Sequence, residues 1–198
     1  SKTGLLLNGQ PRTMKGGCIH HDLGILGAAD HAAAERRRIR PMKESGFDAI
    51  RAAHNPFGPA FLDACDELGM LVVEEAFDEW VMGRTSFGLH VTFEQCWEKD
   101  LEDMITRDYN HPCIVMWSTG NEVEERDGTA DGFAWAKRLA NKVRSLDASR
   151  PVSATACALF SEYGNRPAGG TTGNQALNMA YDTFAEGRDI WGPGTAPY

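Results

Sequence analysis

The fold is decided by the stretch Cys113-Ile114-Val115-Met116-Trp117-Ser118-Thr119-Gly120-Asn121-Glu122. It begins as an unbroken apolar run, which is typical of a strand covered on both faces in a parallel sheet. Helices are predicted on either side of it, over 93–109 and 132–147, because apolar side chains recur there at helical spacing. A buried strand between two amphipathic helices predicts an α/β fold with a parallel sheet and helices outside it.

The same alternation of strand and helix extends along the chain in both directions. Further strands are predicted over 14–20, 48–54, 71–77 and 151–157, and further helices over 31–45 and 59–69. Pro59 and Gly69 suit the first and last positions of the helix between them. The pattern therefore predicts four strand–helix units followed by a fifth strand.

Local signals predict how two of the helices begin and continue. Asp30 is expected to cap the helix over 31–45, and Pro41 is expected to kink or break that helix. Thr92 and Gln95 are expected to form a capping box at the start of the helix over 93–109.

The two ends of the chain differ from its middle. Residues 1–15 predict a short N-terminal β-hairpin around the turn Asn8-Gly9. Residues 161–175 are rich in Gly, Asn, Thr and Pro and predict a loop, within a tail over 158–198 that has few helix or strand signals. We expect one domain over 1–198.

Composition excludes several classes of protein. The 198 residues include 20 basic and 28 acidic side chains, and a net charge of −8 argues against nucleic acid or an anionic membrane as a partner. No apolar run approaches the roughly 20 residues that span a bilayer. The five cysteines are widely spaced and are expected to be small buried thiols, and the run Arg36-Arg37-Arg38 is expected to be a solvated helix face.

Polar side chains collect where the predicted strands end. They are His20, His21 and Asp22; then Arg51, His54 and Asn55; then Glu74 and Glu75, with Asp78, Glu79 and Trp80 close behind; and finally Asn121 and Glu122. In parallel βα folds the catalytic groups lie at the carboxyl ends of the strands. We therefore expect an active site at this edge of the sheet.

Glu122 is the sharpest catalytic candidate. A carboxyl at the mouth of an apolar strand, near other acidic side chains, is expected to resist ionisation. It could then act as a general acid that protonates a leaving oxygen, although the same pattern also fits a glutamate that opens a solvated helix. Trp80 and Trp117 could be sugar-stacking platforms, with core packing an almost equal alternative for Trp117.

A metal site formed by the histidines is a less favoured interpretation than the catalytic role of Glu122. His20 and His21 are adjacent in a predicted strand, so at most one of them should face the pocket. H-x-H and H-E-x-x-H motifs are both absent, and we expect neither a metal nor another cofactor.

Several motifs, taken in order, resemble the catalytic TIM-barrel domain of glycoside hydrolase family 2, which includes β-galactosidases, β-glucuronidases and β-mannosidases. The resemblance covers about residues 5–157. The motifs are Leu6-Leu7-Asn8-Gly9-Gln10-Pro11, Gly16-Gly17-Cys18-Ile19-His20-His21-Asp22, Ala49-Ile50-Arg51-Ala52-Ala53-His54-Asn55-Pro56, Cys65-Asp66-Glu67-Leu68-Gly69, Glu74-Glu75-Ala76-Phe77-Asp78-Glu79-Trp80, Arg107-Asp108-Tyr109-Asn110-His111-Pro112 and Trp117-Ser118-Thr119-Gly120-Asn121-Glu122.

The resemblance implies a retaining β-glycosidase, β-galactosidase-like, acting on terminal β-linked sugars. By matching motifs, Glu122 would be the acid/base, Asn121 would hold the sugar 2-hydroxyl, and Glu75 would orient the site from behind. The implied sugar pocket is lined by His21, Asp22, Arg51, His54 and Asn55, with Trp80 as a further substrate contact. Ala53 and Glu74 depart mildly from the family, at places usually held by a small hydroxyl residue and by Asp.

One departure from the family is serious. The nucleophilic Glu of the family follows strand seven, and no residue in 158–198, Glu162 and Glu186 included, matches that motif. A (β/α)₈ barrel typically takes about 250 residues. We therefore expect an incomplete barrel of about five to six βα units that is inactive alone, and that self-associates or needs the missing barrel half because its edge strands are unpaired.

Two alternatives to the glycosidase remain open from the sequence. One is a degenerate barrel that binds carbohydrate without chemistry. The other, less favoured, is a metallohydrolase. The sequence identifies neither the sugar nor the cellular location.

Overall fold

A computed structural model describes residues 6–127 and 131–155. Its strands are β1 (Leu6–Leu7), β2 (Gln10–Pro11), β3 (Gly16–Ile19), β4 (Ala49–Ala52), β5 (Leu71–Glu75), β6 (Ile114–Asn121) and β7 (Val152–Thr155). Its α-helices are α1 (Ala32–Glu44), α2 (Pro59–Leu68), α3 (Phe93–Asp108) and α4 (Gly132–Leu146). The expectations for the tail over 158–198, with Glu162 and Glu186, lie outside the described residues.

Two sheets form within the described residues. Strands β1 and β2 pair antiparallel across Asn8 and Gly9, both of which have positive φ, as the predicted Asn-Gly hairpin requires. The other five strands form one sheet in the order β3-β4-β5-β6-β7, and every neighbouring pair is parallel. Strands that follow one another in chain order, with helices between them, are the arrangement predicted for consecutive units of a (β/α) barrel.

The main core lies between this sheet and the helices. Ile50, Val72 and Trp117 are fully buried on the strands, and Phe61 and Leu101 are fully buried on the helices. Each such side chain contributes about 1.5–3 kcal/mol relative to an exposed one. Because alternate strand residues point to opposite faces, the neighbours Arg51, Val73 and Ser118 are directed to the other face of the sheet, where the candidate site lies.

Asp30 does not cap its own helix, so that prediction is wrong. Helix α1 has His31 at its N-cap and no side-chain cap. The Asp30 carboxylate accepts instead from the backbone N–H of Ala60, at 3.0 Å, in the first turn of α2. It passes so close to Gly58 that a Cβ there would lie 2.3 Å from the Asp30 carboxyl carbon. Asp30 therefore joins two helices that are separated in sequence.

Two other helix predictions differ from the structure. Helix α1 continues through Pro41 to Glu44, so it does not break at Pro41, and the alternative, a kink at Pro41, stays a prediction. The predicted capping box is absent because Thr92 ends a 3₁₀ turn over Leu89–Val91. Its hydroxyl donates back to the carbonyl of Leu89 and accepts from Sγ of Cys96 in α3, but it caps no backbone N–H of that helix.

Candidate active site

The carboxyl ends of β4, β5 and β6 bring three of the predicted site residues into direct contact. The Arg51 guanidinium donates to both carboxylate oxygens of Glu75, with Nη2–Oε1 at 2.6 Å. The same Nη2 donates to Oδ1 of Asn121 at 2.6 Å. One guanidinium thus links three neighbouring strands at the edge where the sequence predicts the site.

Glu75 is the centre of this arrangement. Its carboxylate is fully buried and also accepts from the backbone N–H of His54 at 2.7 Å and from Oγ of Ser118 at 2.8 Å. A buried carboxylate is tolerated when its charge is paired and its oxygens are hydrogen-bonded, as they are here. Glu75 therefore joins Arg51, His54 and Ser118 at the base of the candidate site.

Asp78 forms a second centre; the sequence places it near the expected site but predicts no role for it. Its Oδ1 accepts from Nδ2 of Asn121 at 3.0 Å and lies 2.6 Å from Nδ1 of His54. Arg84 donates to the Asp78 carbonyl at 2.6 Å and pairs with its carboxylate. Burial opposes ionisation of Asp78, but hydrogen bonds from Arg84 and Asn121 outweigh it and lower the Asp78 pKa.

Asn121 is therefore held from both sides. Its amide oxygen accepts from Arg51 and its amide nitrogen donates to Asp78, which together determine the orientation of the amide. The signal for Asp78 was present in the sequence, because it follows β5 by three residues and is acidic. Nothing in the local sequence indicates Arg84, which reaches Asp78 from six residues further along the same loop after β5.

Two residues of the site have left-handed backbone conformations. His54 has φ of 79° and Glu122 has φ of 45°. A non-glycine residue in this region costs on the order of 1–3 kcal/mol, and such residues cluster at functional sites. Glu122 is half-buried and follows directly after β6. The end of β6 thus turns sharply at the residue predicted to be the acid/base.

The residues after β3 complete the cluster. The ring of His20 lies 4.9 Å from that of His54, and His21 contacts Asn55 through Nδ1 at 3.1 Å. Strand β3 ends at Ile19, so the alternation that predicted at most one of His20 and His21 facing the pocket does not extend to them. His20, for which no role is predicted, lies in the cluster together with His21. The remaining predicted residue here, Asp22, is exposed, and its carboxylate accepts from the backbone N–H of Gly24 at 2.7 Å.

Comparison with known proteins identifies the family of this chain. The family description "Glycosyl hydrolases family 2, TIM barrel domain" matches residues 1–165. The chain belongs to glycosyl hydrolase family 2. The five parallel strands are accordingly part of the family's TIM barrel, as the sequence predicts.

Similar proteins carry glycosidase names. The chain is 38% identical to "Beta-galactosidase BoGH2A" of Bacteroides ovatus, over 78% of this chain and 22% of that protein. It is 36% identical to a "Beta-galactosidase" of Vibrio cholerae, over 75% of this chain and 14% of that protein. The chain therefore spans between a seventh and a quarter of the length of these relatives.

Solved structures of family 2 proteins superpose on this chain. A family 2 member from Bacteroides cellulosilyticus superposes with a TM-score of 0.76 at 36% identity, covering 95% of this chain and 24% of that one. A Bacteroides uniformis β-glucuronidase, covalently bound to cyclophellitol-6-carboxylate aziridine, gives a TM-score of 0.66 at 31% identity, covering 81% of this chain and 20% of that one.

Among the described residues, none of the helices combines the length and apolar character that crossing a bilayer requires.

The two tryptophans that could have stacked on a sugar are both core residues. Trp80 is 2% exposed and its indole N–H donates to the Thr119 carbonyl at 2.8 Å. Trp117 is fully buried and donates to the Asp147 carboxylate at 2.8 Å. The prediction of Trp80 as a substrate contact is therefore wrong, since almost none of its side chain is accessible to a ligand. For Trp117 the core alternative is correct.

Within the described residues, the cysteines and a cluster with metal-ligand spacing lie away from the site, except for Cys18. Cys65 and Cys113 are buried as predicted, whereas Cys18 is exposed on edge strand β3 with its sulfur 3.6 Å from Nη1 of Arg51. Among the described residues, Asp66, His111 and Cys113 form the one group with metal-ligand spacing. Hydrogen bonds from His111 and from the Cys113 backbone to Asp66 already account for it, at the opposite end of β6.

Glu74 is buried on the helix side of β5, opposite to Glu75. One oxygen accepts from the backbone N–H of Phe57 at 2.7 Å, and Oε2 has no hydrogen-bond partner within the described residues. Burial raises the pKa of Glu74 to about 8, more than the Phe57 hydrogen bond lowers it. The side chain is therefore expected to be protonated at neutral pH.

This protonation predicts a pH dependence of stability. The folded-state pKa of Glu74 lies near 8, above its ordinary value of 4.5, so between these values the unfolded chain releases a proton that the folded chain keeps. The free energy of unfolding should fall as pH rises from 4.5 to 8, and this fall should be smaller in Glu74→Gln. Urea unfolding of both proteins from pH 5 to pH 8 measures the difference. A wild type that gains stability relative to the variant over this range would contradict the assignment.

Proposed function

We propose that this chain carries the acid/base half of a retaining β-glycosidase active site that hydrolyses terminal β-linked sugars. The supporting observation is the pair Asn121 and Glu122 at the sharply turned end of β6, with the Asn121 amide held between Arg51 and Asp78. A rigid amide next to a carboxyl provides one group that orients the sugar and one that transfers a proton.

The proposed reaction has two steps. In the first, the Glu122 carboxylic acid donates its proton to the glycosidic oxygen while a nucleophilic carboxylate attacks the anomeric carbon and the leaving group departs as an alcohol. In the second, the Glu122 carboxylate removes a proton from water, which attacks the same carbon and releases the free sugar. Asn121 hydrogen-bonds the sugar 2-hydroxyl in both steps. The pocket is lined by His21, Asp22, Arg51, His54 and Asn55, above Glu75.

The nucleophile is proposed to come from sequence outside this chain. The described sheet has β3 and β7 as edge strands, and its inner face leaves Val73 and Met116 half-buried. Unpaired edges and a partly exposed inner face suit a sheet that further strands complete. In a completed barrel, those strands would also bring the second carboxylate to the mouth of the pocket.

A β-galactoside is the proposed substrate class. It is supported by the relatives named β-galactosidase, while those named β-glucuronidase make a β-glucuronide the next class to test. No cofactor enters the proposed reaction, since two carboxyl groups and water balance both steps.

The chain alone is expected to be inactive. Assayed on nitrophenyl β-galactoside and β-glucuronide, it should show no turnover, whereas the longer protein that includes it should hydrolyse one of them.

Light scattering on the same sample should show self-association through the unpaired edge strands. The activity assays have two further informative outcomes. Turnover by the chain alone that disappears in Glu122→Gln would contradict an external nucleophile. Sugar binding by calorimetry, without hydrolysis in the longer protein, would favour a carbohydrate-binding barrel instead.

A further inference from the structure

We propose that Arg38 is a positioning residue that holds the turn His20–Asp22 of the candidate sugar pocket in place. Its consequence for catalysis rests on the proposed function, whereas its effect on the turn does not. Arg38 lies on α1, behind the sheet edge that carries the site. Because it does not reach the pocket itself, it would act only through the residues it holds.

Arg38 contacts the turn through backbone carbonyls. Its Nη1 donates to the carbonyl of His20 at 3.0 Å and to that of Asp22 at 3.1 Å. These carbonyls flank His21, whose ring contacts Asn55. The turn itself is mostly exposed, and its internal bonds are short-range, from Asp22 N–H to the His20 carbonyl and from Gly24 N–H to the Asp22 carboxylate. Arg38 therefore supplies a fixed external support for a surface turn.

The guanidinium of Arg38 is itself rigidly held. Its Nε and Nη2 donate to the two carboxylate oxygens of Glu35, at 2.5 Å and 3.0 Å, and Glu35 is 4% exposed. The guanidinium also lies over the rings of Phe57 and Phe61, at 5.3 Å and 5.4 Å. These contacts hold the planar guanidinium of Arg38 along one edge and against the two rings. Its remaining N–H groups therefore have little freedom to reorient.

Phe57 connects Arg38 to the same turn by a second contact, because its ring packs against both Arg38 and His21. The Phe57 ring lies 5.0 Å from the ring of His21, so the aromatic side chain beneath Arg38 also supports His21. Arg38 thus contacts the His21 segment through its backbone on one side and through a shared ring on the other.

The neighbouring arginines show that this role belongs to Arg38. Arg36 lies on the exposed side of α1 and pairs with Glu67 at the surface, and Arg37 is exposed. The expectation of a solvated face is therefore wrong for Arg38 alone, because each residue of a helix is rotated by about 100° from the previous one. Arg36 offers a matched control on the same helix.

The first test measures the turn directly. In this chain with labelled histidines, Arg38→Met should shift the ring resonances of His20 and His21 and leave those of His90 and His111 in place. Arg36→Met should shift none of the four. Unchanged resonances for His20 and His21 in a folded Arg38→Met protein would overturn the proposal. Arg38→Lys keeps a charge partner for buried Glu35, so it provides the same comparison if Arg38→Met does not fold.

The second test measures catalysis in the longer protein. Arg38→Met should lower kcat/KM by about 10–100-fold, since a displacement of about 1 Å can cost a factor of that size. Arg38→Lys should fall between Arg38→Met and wild type, and Arg36→Met should match wild type. Wild-type kcat/KM in Arg38→Met would overturn the positioning role. Shifted histidine resonances in a protein whose wild type hydrolyses no glycoside would overturn the proposed function and leave the positioning role intact.

Discussion

Glu122→Gln in the longer protein is expected to lower kcat by roughly 10²–10⁴-fold for substrates with a poor leaving group. Glutamine matches glutamic acid in shape but has no acidic proton to give to the glycosidic oxygen. The loss should be smaller for dinitrophenyl glycosides, because that leaving group departs without protonation. Steady-state kinetics on a series of aryl glycosides of increasing leaving-group pKa measures both effects.

The control for Glu122 lies two residues along the chain. Glu124 is also half-buried after β6, so Glu124→Gln makes the same chemical change nearby and should leave kcat close to wild type. Azide should restore turnover to Glu122→Gln, because a small anion can attack the glycosyl–enzyme without help from a general base. Equal losses in both variants, or equal losses for good and poor leaving groups, would remove Glu122 from the acid/base role.

The order of strands and helices could be predicted from the sequence because its signals are local. The apolar run that becomes β6 and the Pro59 and Gly69 ends of α2 depend on neighbouring residues. The polar residues at strand ends could be predicted for a related reason: once the strands are parallel, their carboxyl ends must share one edge. Arg51, Glu75 and Asn121 contact one another there although they lie up to 70 positions apart in the sequence.

The errors concern contacts that local sequence does not encode. Asp30 has the composition of a helix cap, and only the folded chain shows that the N–H it accepts from belongs to a helix 30 residues later. Arg38 sits in a run of three arginines, and its burial depends on Phe57 and Glu35 rather than on the run. Trp80 has the residue type of a sugar platform, but a bend after β5 turns it into the core. In each case a tertiary partner determines the role.

Glu75→Gln is expected to destabilise the protein by about 3–5 kcal/mol, the range seen when one partner of a buried ion pair is removed. The Glu75 carboxylate is fully buried and accepts from Arg51, from the His54 backbone and from Ser118. A glutamine would turn an N–H toward one of these donors and leave the Arg51 guanidinium without its charge partner. Urea unfolding followed by far-UV circular dichroism measures the loss. Glu67→Gln removes the surface pair with Arg36 and should leave the unfolding midpoint unchanged, because exposed ion pairs contribute little. If both variants unfold at the same urea concentration as wild type, Glu75 does not organise this end of the sheet.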